Sequence, residues 1–235
     1  MAAALTWGWV LALYGGLGTL GAILYSLPPV RAAYRPFTGE AIAFGCAWAC
    51  VSGAYVLQTG SLTGGVALAG IAHAATCVAM LMMHHYLDRV PDSRALPPKT
   101  TTIVLLGRAG RRYALLWAAI ALVGAILLTV LVDQRFAIAA VAFALALAVH
   151  ASVDPADPAS VTRGELAVIL LGMAGGLGTA AALEPELLWA LGAAAILVPI
   201  ELAVSGIAHR DLMAARSERP SPSSGEGPAG TPGLS

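Results

Sequence analysis

Charge is what this chain lacks most. Of its 235 residues only 11% are Asp, Glu, Lys or Arg, while 58% are hydrophobic. A soluble domain carries roughly 25% charged and 45–50% apolar residues. This chain cannot cover a water-facing surface with polar groups, so its solvent is lipid. The formal net charge is zero. A nucleic-acid binder shows a basic face or stripe, and no such partner is expected. There are three cysteines, Cys46, Cys50 and Cys77, all inside apolar runs. A stapled secreted fold shows an even number at loop positions, so no structural disulfide is expected. No G-x-x-x-x-G-K-[ST], H-E-x-x-H or G-x-S-x-G occurs, so no complete catalytic motif is present. The first cation is Arg31. A signal peptide begins with a positive region, so residues 5–26 read instead as a retained transmembrane helix.

Long apolar runs are what the chain does have. About 20 apolar residues cross the hydrocarbon core. Seven stretches qualify: 5–26, 41–57, 63–86, 113–132, 136–151, 166–183 and 187–208. Breakers such as SLPPV, QTGSLTGG, VPDSRALPPKT and VDPADPAS separate them, and Thr162 with Glu165 spells a T-x-x-E capping box for the sixth. Seven crossings would put twelve of the thirteen Lys and Arg residues on one side and Arg135 alone on the other. The positive-inside rule then places the N-terminus outside and the C-terminus in the cytoplasm. The expected fold is an all-α, polytopic bundle of seven transmembrane helices in the cell membrane, spanning residues 1–215. Residues 216–235 are rich in Ser, Pro and Gly and read as a disordered cytoplasmic tail. GGLGT occurs twice, at 15–19 and 175–179; small residues at such spacing let helices approach closely in lipid.

Three groups of residues are candidates for chemistry. Ionisable residues at membrane depth are costly and mark function by default. His73 in the third span and Glu201 in the seventh lie roughly 10–20 Å from the cytoplasmic boundary by helical rise, a candidate proton or quinone site. The second group is the histidines ending three helices on one side: His84, His85, His150 and His209. His84–Asp88 and His150–Asp154 are each one helical turn apart, and a carboxylate behind an imidazole is the usual support of a metal or haem ligand. The third is the stripe His73, Cys77, Met80 and His84, beside Cys46 and Cys50 on the preceding span. Soft ligands of this kind suit Cu(I), but Cys and Met also serve as hydrophobic filler.

These residues point to two function classes. One is a membrane subunit of an electron-transfer system that meets quinone, haem or a transition metal through its histidines; it would need other membrane or peripheral subunits. The other is a small-solute or ion transporter using the His73/Glu201 level. A cofactor-free scaffold is the third reading. The seventh span has no Lys, so no retinal is expected.

Overall fold

The computed structural model describes residues 8–96 and 98–185, with a few positions between 189 and 200. It divides into two compact units, 1–188 and 189–235. Most of the seventh span, with Glu201, His209 and the tail, lies outside the described residues.

Among its described residues the first unit is all helix, joined by turns and loops. Six helices are long and apolar enough to cross a membrane: α1 (Gly8–Ser26), α2 (Thr38–Thr59), α3 (Gly64–Arg94), α4 (Gly110–Leu131), α5 (Ala137–Ser152, preceded by a single turn at Gln134–Phe136) and α6 (Pro158–Leu183). Each packs on the next, and α6 returns to α3. The helices α3, α4, α5 and α6 therefore close a four-membered ring. The α2 helix lies against α3 outside it, and α1 lies against α2.

Local chemistry sets the ends. Gly60 closes α2 at φ 80° and donates its N–H to Val56 O, a left-handed cap that glycine adopts without a Cβ penalty. Thr63 opens α3 by accepting from Val66 N–H at 3.2 Å, satisfying one of the orphan donors of the first turn. The breaker VPDSRALPPKT places Pro91 in a loop after the third span; instead α3 runs through it to Arg94. A proline forfeits one backbone bond. Here the loss falls where Val90 and Pro91 are exposed, so water can serve the freed carbonyl. The consequence is that Asp88 and Asp92 sit one turn apart on a helix.

The start of α6 also differs from the sequence expectation. The helix begins at Pro158, not near Thr162, and Asp157 is its cap, accepting from Ala159 N–H at 2.9 Å. Proline suits a first turn because its missing N–H was an orphan anyway. Thr162 donates back to Pro158 O, and Glu165 is released for another partner.

The ring is held by small residues. Ala72, Ala75, Ala121, Ala125 and Ala139 surround Phe143 in one buried cluster. A Cβ on Gly124 would stand 3.0 Å from Ala72 Cβ, so α3 and α4 pack nearly backbone to backbone. Such close approach gains dispersion and packing energy where lipid supplies no hydrophobic drive between helices. The second GGLGT works this way: Gly175 receives the Phe143 ring and Gly178 receives Ile138. The first does not. A Cβ added at Gly15, Gly16 or Gly18 would meet nothing within 4 Å, and only Gly21, beyond the motif, meets Cys46 of α2.

Candidate anion site and histidine seam

The sequence stripe on α3 proves to be a seam. His73 Nε2 lies 3.0 Å from Thr179 Oγ1 on α6. Gly172 of α6 passes the Thr76 methyl, and Gly164 passes Met83 Sδ. His84 Nδ1 lies 3.0 Å from Glu165 Oε1, again on α6. Rising residue numbers on α3 meet falling numbers on α6, as two antiparallel helices require. Met80 packs on the same side against Met83, Val153, Val161 and Val168. Cys77 does not share this face; it is exposed, as is Cys50, while Cys46 is half-buried. All three are free thiols. Among the described residues no group of three or more His, Cys, Asp or Glu is placed to hold a metal ion.

The rim histidines part company. His84 is exposed and stands between two carboxylates, Glu165 and, at 3.6 Å, Asp88. His85, the next residue, turns inward and is buried, with no partner for Nδ1 among the described residues. His150 is also buried, lining a void of about 10 Å³ with Thr76, Ala118 and Phe143, and its Nε2 is without a partner there. The expected one-turn pairing of His150 with Asp154 does not form. The α5 helix ends at Ser152 and Val153 is extended (ψ 133°), so the helical spacing stops applying before residue 154. Asp154 instead accepts from Ala156 N–H at 2.9 Å, and its own N–H donates to Ser160.

Basic side chains gather at this end of the ring. The segment after α3 folds back over the helix ends. Lys99 Nζ stands 3.3 Å from Asp92 Oδ2 and 5.6 Å above the Tyr34 ring. The pair is ionic by distance, but its angles are not those of a hydrogen bond. Thr101 caps a short helix, Thr102–Leu106, whose Ile103 is buried against Val78, Met82 and Ala114. Thr102 Oγ1 accepts from Phe37 N–H at 2.7 Å. With the segment pinned at both points, a cleft of about 200 Å³ opens between α3, the start of α4 and the α5–α6 loop. Arg89, Arg108 and Arg111 line it, with Asp154 and the Tyr86 ring. Arg111 also donates to Ala151 O at the end of α5, satisfying a terminal carbonyl. Three guanidiniums against one carboxylate leave the cleft with a formal surplus of two positive charges. Planar guanidiniums bind phosphate oxygens by paired N–H donors.

The pattern that describes the UbiA prenyltransferase family matches residues 1–165, which cover α1 to α5, the cleft and the first turns of α6. The chain belongs to this family. It is a multi-pass membrane protein, as the UbiA match and the six apolar helices together show. No curated protein and no solved structure matches the chain.

In the sequence, Arg89, Arg108 and Arg111 stand out only as topological markers. The run GRAGRR at 107–112 is the signal that could have found two of them. Thr179 carried no signal, because a lone threonine in an Ala/Gly helix is ordinary. Glu40 was also missed, since the second span was drawn from residue 41. It begins α2 buried, with no partner for Oε1 among the described residues.

Proposed function

We propose that this UbiA-family protein transfers a prenyl group from a prenyl diphosphate, and that the diphosphate binds in the arginine cleft. The observation that supports this reading is the meeting of Arg89, Arg108 and Arg111 in one cleft where the apolar bundle ends. A prenyl diphosphate is an apolar chain with a multiply charged head. Its tail belongs in lipid or among the helices, and its head belongs at the boundary among cations. Ionising the allylic C–O bond moves its electron pair onto the departing diphosphate, and the acceptor then bonds to the allylic carbon and releases its proton to water. Donors aimed at the leaving group favour that step because its charge grows there. Magnesium carried by a diphosphate takes one or two protein carboxylates and would supply further charge neutralisation. Asp154, the one carboxylate that lines the cleft, would hold it.

The test is binding of labelled geranylgeranyl diphosphate to purified full-length protein in nanodiscs, against geranylgeraniol, which has the same tail without the charge. Replacing Arg89 and Arg108 together by Ala should weaken diphosphate binding at least tenfold and leave the alcohol unchanged. Equal loss for both ligands, or none for the diphosphate, would refute the site.

One observation favours a second reading. His85 and His150 each keep a buried ring nitrogen without a partner among the described residues, free to ligate or to hydrogen-bond a cofactor. In that reading the protein is an electron-transfer subunit whose histidines meet quinone, haem or metal, and further subunits supply the remaining redox centres. A purified protein with a Soret band would select it over prenyl transfer.

A further inference from the structure

At the end of the bundle away from the arginines, α2, α3 and α6 line a second, half-open cavity of about 470 Å³. Small-molecule sites span roughly 300–1,000 Å³. Its wall is graded. Gln58 and Thr59 end α2, and Glu184 closes α6, so the mouth is polar. Val51, Ala54, Ala180 and Leu183 make the middle apolar. His73 and Thr179, bonded to each other, lie further in. Thr179 is five residues before Glu184, roughly 7 Å along the helix. The space exists partly because residue 176 is glycine: a Cβ there would meet only His73 Cε1, at 3.8 Å.

The lining chemistry limits the ligand. Among the described lining residues there is no Lys or Arg, and the one charged group is the Glu184 carboxylate. An anionic head would meet repulsion at the mouth and no counter-charge inside. A hydrated ion would lose its water against the apolar middle. The inner pair retains hydrogen-bonding capacity. The Thr179 hydroxyl has a second lone pair, and the imidazole has a second nitrogen that donates in one tautomer and accepts in the other. We infer that this cavity binds a neutral, lipid-soluble molecule through a hydroxyl or carbonyl group held by the His73–Thr179 pair. The site is separate from the arginine cleft: His73 and Arg89 are sixteen residues apart on α3, roughly 24 Å by helical rise. It does not rest on the prenyl-transfer reading.

A photoreactive diazirine 4-alkylphenol tests this on the full chain in nanodiscs, with cross-linked peptides mapped by mass spectrometry. Labelling is expected on the peptides that hold Tyr55 and Thr179. Unlabelled 4-hexylphenol and hexyl-1,4-benzoquinone should compete, and 4-hexylbenzoate should not. Gly176→Leu fills the cavity and should cut labelling at least tenfold. Thr179→Val keeps the shape and removes one hydrogen bond, so competition should weaken roughly fivefold to tenfold; this variant carries the test if Gly176→Leu does not fold. Arg108→Ala should leave labelling unchanged, which separates this site from the diphosphate cleft. Labelling spread over other helices, indifference to both cavity variants, or equal competition by the benzoate would overturn the inference.

Discussion

Gly175→Ala adds one methyl group to α6, and the structure states what that methyl meets. Its position lies 2.5 Å from Phe143 Cε1 and 3.0 Å from Cζ, well inside contact distance. The ring cannot easily swing away. It is 2% exposed, stands edge-on to His73 with centroids 5.2 Å apart, and is enclosed by Ala72, Ala121 and Ala125. Overpacking of this kind costs about 1–3 kcal/mol. Gly176→Ala is the internal control. Its methyl would meet only His73 Cε1 at 3.8 Å, an ordinary contact, while alanine improves helix propensity by up to about 1 kcal/mol. The two neighbouring substitutions should therefore move stability in opposite directions. Gly175→Ala gains the same propensity, so its net cost is about 0–2 kcal/mol. In a thermal unfolding assay in detergent, at about 2–4 °C per kcal/mol for a chain of this size, it should lower Tm by up to about 8 °C, while Gly176→Ala should hold or raise it. Equal shifts would refute the packing of α5 against α6 described here, because only that packing distinguishes the two positions.

Lys99→Met should strand the buried Asp92 carboxylate and cost about 1–3 kcal/mol, and adding Asp92→Asn should recover most of it; thermal unfolding of the single and double variants checks the pairing. Glu165→Gln alters a contact to an exposed imidazole and should change stability by less than about 1 kcal/mol, measured the same way; a larger loss would show that the seam depends on charge. A reporter active only in the cytoplasm should work when fused at residue 100 and fail at residue 185, as the charge asymmetry requires; the reverse pattern would invert the orientation. Removing residues 216–235 should leave Tm unchanged, because that stretch has no apolar face to bury.

Some features of this protein were legible without coordinates. Composition alone requires lipid as solvent, since 11% charged residues cannot clothe a soluble surface. That long apolar runs form membrane-crossing helices follows from their length, because backbone polar groups in lipid must be satisfied within the helix. Both are one-dimensional properties: each depends on the residues of a single segment and its medium. What depends on a partner segment was not legible. The same GGLGT is a packing surface in α6, where Phe143 and Ile138 arrive from α5, and is without such contacts in α1. Helical spacing aligned His73, Cys77, Met80 and His84, yet the direction of α6 decided which of them face a neighbour, and Cys77 was left exposed. Thr162 and Glu165 matched a capping pattern, but Asp157 with Pro158 started the helix earlier and gave Glu165 to His84. The arginine cleft is the furthest from sequence. Arg89, Arg108 and Arg111 come from three separate local structures, and they share a cleft because Ile103 and Thr102 pin the intervening segment to the end of the bundle. Spacing along the chain places residues on a face; only the approach of another helix determines what that face meets.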